Sequence, residues 1–186
     1  MQAHKKLKLI LSSTFDGGVG YDNKLPWYCG KELKKFKEIT QGVEDADKIN
    51  AVVMGRNTWD SLPRRPLPKR VNIIISNDNK YKTPYKNVIV LHSLLSVLMY
   101  CNSNEKIESV FVIGGAQIYN QIIFSDFFRK KIEKIYISIM FYSQHHIANK
   151  HIDIQHLLNT FRWEKDKNYQ QECDDRLFAS YILYAS

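Results

Sequence analysis

The stretch Phe111-Val-Ile-Gly-Gly-Ala-Gln-Ile-Tyr119 decides the fold that we expect for this chain. An apolar, β-branched run leads into two glycines and then into residues with helical spacing, which is typical of a buried strand, a tight turn and a helix. No side chain at Gly114 or Gly115 would block a ligand, and free amides at a helix N-terminus bind phosphate. The pair is not the full Gly-x-Gly-x-x-Gly fingerprint, so an ordinary strand-to-helix turn remains an alternative.

A second turn of the same kind lies earlier in the chain. The apolar run at residues 51–54 leads into Gly55-Arg56-Asn57-Thr58. Arg56 can pair with a phosphate and Thr58 can donate to a pyrophosphate, although capping of a helix would explain the threonine equally. Arg70, just before the next apolar run, offers two parallel donors to a carboxylate or phosphate, unless it is simply solvated. Two glycine turns at successive strand ends favour a cofactor that carries phosphates.

Strand-like and helix-like segments alternate along most of the chain, whose 186 residues fit one domain. The alternation predicts a single α/β domain over residues 1–186, with a mostly parallel sheet and helices on both faces. The last two runs follow each other without an evident helix, which predicts an antiparallel C-terminal edge. The expected strands are residues 7–13, 51–54, 71–76, 88–91, 110–113, 135–140, 161–167 and 176–184, and the expected helices are residues 31–39, 58–62, 94–101 and 117–124.

A glycine-bearing loop and an acidic residue lie between the first strand and the first helix. The loop Val19-Gly-Tyr-Asp-Asn-Lys-Leu-Pro-Trp27 is suited to close over a ligand and exclude water. The helix after it carries Glu32, with Leu33 and Phe36 on neighbouring faces. If that face points inward, burial favours the neutral acid and couples it to a proton or a cationic ligand. A solvent-facing position is the commoner one for a glutamate, so both orientations stay open.

The charge balance bears on partners more than on fold. The chain carries 27 Lys and Arg against 19 Asp and Glu, a formal net charge of +8. A solvated, lysine-rich surface explains this charge as well as nucleic acid or small polyanions would. The sequence lacks a clustered basic and aromatic stripe, so no nucleic-acid partner is expected. No apolar run is long enough for a membrane span and no secretory signal is evident, so we expect a cytoplasmic protein without a membrane partner.

Cysteine and histidine spacing argues against a metal site. Cys29, Cys101 and Cys173 are widely separated and odd in number, so we expect reduced thiols. The histidines between residues 145 and 156 lack cysteine or carboxylate partners at metal spacing, and a surface loop is expected there. No nucleophile elbow and no P-loop occurs, which excludes the common hydrolase and NTPase patterns.

Taken in order, these segments resemble the dihydrofolate reductase family, clearly over residues 9–140 and only by pattern in the C-terminal strands. The resemblance implies an eight-stranded, mostly parallel sheet, a monomer, and a cis peptide bond between Gly114 and Gly115. It also implies NADPH-dependent reduction of 7,8-dihydrofolate to 5,6,7,8-tetrahydrofolate, which supports one-carbon metabolism and thymidylate synthesis. Glu32 would anchor the pterin and promote protonation of the nitrogen beside C6 through water, while the cofactor carries the hydride.

The resemblance assigns the site one position at a time. Glu32 matches the single acid of the pterin site, Trp27 belongs to the closing loop, Ser138 matches the hydroxyl that supports the acid, and Arg70 matches the arginine that pairs with the glutamate tail of folate. The positions matched to substrate contacts are Ile10, Leu33, Phe36, Ser61, Leu62, Arg70, Ile113 and Tyr119. The positions matched to the cofactor are Ser12, Val19, Gly20, Gly55, Arg56, Asn57, Thr58, Ser76, Asn77, Gly114, Gly115, Ala116, Gln117 and Ile118.

Several positions depart from the family pattern. The family usually has threonine at the position of Ser138, alanine at that of Ser12, and glycine at that of Lys69. The stretch Asn149-Lys-His-Ile-Asp153 replaces an Asp-Thr-x-Phe-Pro-like loop, so cofactor contacts from it are not carried over. Two alternatives stay open at this point: a reductase of another pterin or of a pyrimidine on the same fold, and a nucleic-acid-binding module.

Overall fold

One large sheet forms the centre of the structure, a computed structural model that describes residues 5–141, 148–166, 171–173 and 176–184. The strands are β1 (Leu7–Thr14), β2 (Gly18–Gly20), β3 (Ile49–Gly55), β4 (Val71–Ile75), β5 (Val88–Leu91), β6 (Ile107–Gly114), β7 (Ile132–Met140), β8 (Lys150–His151), β9 (Arg162–Lys165), β10 (Gln171–Cys173) and β11 (Arg176–Tyr184). The helices are α1 (Gly30–Gln41), α2 (Arg56–Ser61), α3 (Leu94–Ser103), α4 (Ala116–Phe124), α5 (Asp126–Arg129) and α6 (Ile154–Thr160).

The order of strands in the large sheet is β5-β4-β3-β6-β1-β7-β11-β10, and β9 also pairs with β11. The neighbours from β5 to β7 are all parallel. In contrast, β11 is antiparallel to β7, β9 and β10. The predicted α/β sheet, mostly parallel with an antiparallel C-terminal edge, is confirmed.

Both faces of the sheet are covered because alternate side chains of a strand point to opposite sides. Leu9 and Val112 belong to one apolar cluster, which α3, α4 and α6 complete. Their chain neighbours Ile10 and Phe111 belong to a second cluster on the opposite face, completed by α1 and α2. Burial on both sides explains why the parallel strands appear in the sequence as continuous apolar runs.

The segment after residue 147 is more regular than expected. The strand β8 pairs with β2 in a small antiparallel ribbon that contains His151, and α6 contains His156, whose ring stacks on Phe124 at 5.0 Å. The expectation of a surface loop is therefore wrong for these two histidines, because Ile154 and Leu157 are buried and hold α6 against the core. The positions 145 and 146 lie outside the described residues.

The cysteines also differ from expectation. Cys29 is disulfide-bonded, so the prediction of reduced thiols is wrong for this residue. Pairing depends on the distance between two cysteines in the folded chain, which their spacing in sequence does not reveal. Cys101 is a buried free thiol in α3, and burial raises its pKa to about 12.

Neither a metal centre nor a membrane span is found in the part of the chain that the structure describes. Its His, Cys, Asp and Glu side chains form no group of three or more that could hold a metal. Among the same residues, no helix has the length and apolar character needed to cross a bilayer.

Candidate active site

The two glycine turns meet at the carboxyl ends of β3 and β6, where ligands bind in open α/β sheets. Met54 pairs with Gly114 across these strands, which places the following residues side by side. A Cβ atom added at Gly55 would lie 3.9 Å from the Gly115 nitrogen, and one added at Gly115 would lie 3.0 Å from Thr58 Oγ1. The two turns therefore form one cradle whose floor is backbone.

The helices that leave this cradle have uncapped N-termini. Neither the N-cap residue of α2 nor that of α4 makes a side-chain cap hydrogen bond. Amides in the first turn of a helix lack partners within the helix, so they remain available to an anion. The peptide bond between Gly114 and Gly115 is cis, as the family resemblance implies, and Gly114 has a φ of +121°, a region that favours glycine.

Glu32 lies in the first turn of α1 with its side chain turned inward. It is 8% exposed, and its backbone N–H donates to the Cys29 Sγ atom at 3.4 Å. Burial raises the pKa of Glu32 to about 7, while the positive charge of Lys35 opposes this rise. Of the two orientations that the sequence left open, the inward one is observed, and the acid changes its charge near neutral pH.

Tyr119 of α4 lies near this acid and contacts β1, the strand that also carries Ser12. The Tyr119 hydroxyl donates to the Ile10 carbonyl oxygen at 2.8 Å, and burial together with the charge of Glu32 raises its pKa. Ser12 is 9% exposed, and its Oγ has no hydrogen-bond partner among the described residues. A buried hydroxyl in this state is suited to bind a polar ligand atom.

Ser138 lies on β7, paired with Ser12 on one side and Ser180 on the other. Its hydroxyl is 3.5 Å from the Ser180 hydroxyl. Among the described residues, no hydrogen bond joins Ser138 to Glu32. The link between β7 and α1 runs instead through Ser180, which accepts a hydrogen bond from Lys35 Nζ at 2.8 Å.

Arg70 is a buried cation near the far end of α1. Its Nη1 donates to Thr40 Oγ1 at 2.7 Å and its Nε donates to the Pro68 carbonyl at 3.0 Å. Its guanidinium lies 5.8 Å from the Phe36 ring centroid, and burial lowers its pKa. Among the described residues no carboxylate pairs with it, so part of its donor set is available to an anionic ligand.

Arg56 lies at the rim of the cradle among other charged and aromatic groups. It is within 3.8 Å of Asp60 and 3.6 Å of Asp78, and its guanidinium lies 4.7 Å from the Tyr81 ring centroid. Asp78 N–H donates to the buried Ser76 hydroxyl at 3.2 Å, so Ser76 belongs to the same rim. Asn77, between them, is exposed.

The apolar residues predicted for the substrate mostly share one surface. Ile10, Phe36, Leu62 and Ile113 all lie in or against the apolar cluster that faces α1 and α2. Leu33 is 41% exposed, and the exposed Ser61 uses its hydroxyl to donate to the Thr58 carbonyl at 2.7 Å.

The loop after β1 is held by residues that sequence reasoning missed. Val19 and Gly20 lie in β2, whose partner strand β8 belongs to the stretch from Asn149 to Asp153 that received no role. Asn149 makes hydrogen bonds to both Gly20 and Asp22. Trp27, at the end of the loop, is buried against Cys29 and Met140. No pattern within a single sequence relates positions this far apart.

Comparison with known proteins agrees with this fold. A family model described as dihydrofolate reductase matches residues 6–176. The chain is 44% identical over 108 residues to dihydrofolate reductase of Candida albicans, covering 57% of this chain and 55% of that protein. It is 39% identical over 112 residues to dihydrofolate reductase of Saccharomyces cerevisiae, covering 56% and 53%. It is 38% identical over 125 residues to a bifunctional dihydrofolate reductase-thymidylate synthase of Daucus carota, covering 62% and 23%.

The chain belongs to the dihydrofolate reductase family, since the family model spans most of its length. The matched part spans about half the length of the single-function relatives and about a quarter of the bifunctional one.

Proposed function

We propose that this chain reduces 7,8-dihydrofolate to 5,6,7,8-tetrahydrofolate with NADPH. The observation that carries the proposal is the pair of buried ionisable groups near opposite ends of α1, Glu32 and Arg70. Thr40, the partner of Arg70, lies eight residues after Glu32, a helical rise of roughly 12 Å. An elongated ligand with a basic ring at one end and a carboxylate at the other fits this arrangement.

The residues present fit a phosphate-bearing dinucleotide. The glycine cradle of Gly55 and Gly115, the Thr58 hydroxyl and two uncapped helix ends suit a pyrophosphate. The unpartnered Ser12 Oγ suits a polar group of the nicotinamide. When bound, NADPH supplies the hydride that reduces pterin C6.

Discrimination between NADPH and NADH would rest on the rim of the cradle. Arg56 is the cation there, with Ser76 and Asn77 beside it as hydrogen-bonding groups. The Asp60 and Asp78 carboxylates lie 3.8 Å and 3.6 Å from the guanidinium of Arg56. The extra phosphate of NADPH would therefore compete with these two carboxylates for Arg56. The phosphate should bind Arg56 more strongly, because it carries up to two negative charges.

Glu32 would anchor the pterin and promote protonation of the nitrogen beside C6. Its carboxyl group binds the ring nitrogen and amino group at the far edge of the pterin, so the proton reaches the reacting nitrogen through water. Because the pKa of Glu32 is about 7, a substantial fraction of the molecules carry this proton at neutral pH. The apolar surface formed by Ile10, Phe36 and Ile113 keeps other water away from the ring.

We further propose that the chain acts as a cytoplasmic monomer without a nucleic-acid or membrane partner. Its product would supply one-carbon metabolism and thymidylate synthesis. The deciding experiment follows oxidation of NADPH by the purified chain with dihydrofolate, and in parallel with a ribosylated pyrimidine. Turnover of dihydrofolate alone is expected. Turnover of the pyrimidine alone, or sub-micromolar RNA binding at physiological salt without turnover, would reject the proposal.

A further inference from the structure

Lys35 is a buried lysine one helical turn beyond Glu32. Its side chain is 3% exposed, whereas that of the neighbouring Lys34 is 77% exposed. Lysines normally keep their ammonium group in water, and burying this charge is costly unless oxygen atoms replace the lost solvent. A lysine at such a position therefore needs buried oxygen atoms that compensate its charge.

Asp166 and Ser180 provide the compensation. Lys35 Nζ lies 3.5 Å from Asp166 Oδ2 and donates to Ser180 Oγ at 2.8 Å. The Asp166 N–H donates to the Ser180 carbonyl oxygen at 2.8 Å, so the two acceptors are fixed to one another. Both residues are buried, at 5% and 0% exposed. The ammonium is thus fixed in position by Ser180 of β11 and by Asp166, the residue after β9.

The same ammonium faces the candidate catalytic acid. Glu32 and Lys35 are three residues apart on the buried side of α1, a spacing that brings Cβ atoms to within roughly 5–6 Å. The positive charge of Lys35 lowers the pKa of Glu32 against the larger effect of burial, which raises it. Little solvent separates these two charges, so their interaction is weakly screened.

We propose that Lys35 is a positioning residue for Glu32: held by Asp166 and Ser180, its ammonium stabilises the carboxylate and sets the pH range over which Glu32 carries a proton. The inference rests on the proposed function, because the proton matters only if Glu32 serves pterin reduction. The serine predicted to support the acid, Ser138, enters the same cluster through its 3.5 Å contact with Ser180.

Among the residues that the structure describes, the other ionisable groups that face this pair do not reverse the effect. Tyr119 of α4 faces Glu32, and burial raises its pKa, so it stays neutral near pH 7. Asp166 Oδ2 lies 3.5 Å from Lys35 Nζ, and its charge stabilises the protonated lysine. Loss of the Lys35 charge should therefore favour the neutral form of Glu32.

The test measures the titration of Glu32 directly by NMR of carboxyl-labelled glutamate, with Glu32→Gln identifying the signal. Without any dihydrofolate present, Lys35→Met should raise the titration midpoint of Glu32 by about one pH unit. Lys34→Met is the matched control and should leave the midpoint unchanged, because Lys34 is exposed. Lys35→Arg retains the charge and should keep the midpoint close to that of the wild type.

Lys35→Met leaves the buried charge of Asp166 without its cation, which could unfold the chain, so a second variant is needed. The double variant Lys35→Met/Asp166→Asn removes both charges and should show the same rise. With dihydrofolate, the pH at which turnover declines should move upward by an equal amount. An unchanged midpoint in both variants, or an equal shift in Lys34→Met, would overturn the inference. A shift without any turnover of dihydrofolate would reject the proposed function alone.

Discussion

Asn149 and Asp22 bind each other through two hydrogen bonds across 127 positions of the chain. The Asn149 side-chain nitrogen donates to Asp22 Oδ1 at 2.8 Å, and the Asp22 backbone N–H donates to Asn149 Oδ1 at 3.3 Å. The Asn149 N–H also donates to the Gly20 carbonyl at 2.9 Å. One asparagine therefore holds the loop that carries the proposed cofactor residues Val19 and Gly20.

Replacing this asparagine should weaken cofactor binding more than it weakens the fold. We expect Asn149→Ala to lower NADPH affinity about threefold to tenfold, because a typical intramolecular hydrogen bond contributes about 0.5–1.5 kcal/mol. Quenching of the tryptophan fluorescence of the chain during NADPH titration measures this affinity. Asn87→Ala, at an exposed site outside the loop, is the control. Equal affinities in all three proteins would show that the contact does not support the site.

Removing the acid should slow the chemical step and leave the cofactor bound. We expect Glu32→Gln to reduce the single-turnover rate of hydride transfer by about 10²-fold, a loss typical of a missing proton donor. The dissociation constant of NADPH should stay the same. Glu38→Gln changes a half-exposed glutamate of the same helix and should behave as wild type. Unchanged turnover of Glu32→Gln at neutral pH would refute the assignment.

Stability should decline as the pH rises through the titration range of Glu32. The pKa of this carboxyl is raised from 4.5 to about 7 in the folded chain, so between these values the folded state holds a proton that the unfolded state releases. The free energy of unfolding therefore falls with rising pH across this window, by at most about 3 kcal/mol from this group.

Urea unfolding of wild type and Glu32→Gln at pH 5 and pH 7.5 isolates that contribution. The wild type should lose more stability than the variant between these conditions, because glutamine does not titrate. Parallel losses in the two proteins would mean that Glu32 keeps an ordinary pKa in the folded state.

Arg70 should contribute to binding of the glutamate tail of the substrate and not to binding of its pterin ring. We expect Arg70→Met to raise KM for dihydrofolate about 10- to 100-fold, since hydrogen bonds to charged groups contribute about 1.5–3 kcal/mol. KM for NADPH should not change. A dihydropterin without the glutamate tail is the matched substrate control, and it should be insensitive to the substitution. Equal losses with both substrates would contradict the placement of the carboxylate at Arg70.

The main sheet could be predicted from the sequence because its signals are local. Buried parallel strands require continuous β-branched runs, and these runs at residues 51–54 and 110–113 lie within the observed β3 and β6. The glycine turns that follow were predicted for the same reason, since only glycine leaves the backbone open to a ligand. The sequence left the orientation of Glu32 open. Its helix neighbours Leu33 and Phe36 do not by themselves show which side of the helix faces the core.

The rest depended on contacts between distant residues. Lys35 is one lysine among several on α1, and its burial is compensated by Asp166, just after β9, and by Ser180 of β11, both distant in sequence. The pairing of Asn149 with Asp22 arises in the same way. Sequence alone determined the main alternation of strands and helices and the two glycine turns, because these follow from local periodicity and backbone freedom, and the family resemblance pointed to Glu32 as the candidate acid. Tertiary structure decided which charges are buried together, since that depends on desolvation and on distances that no local pattern records.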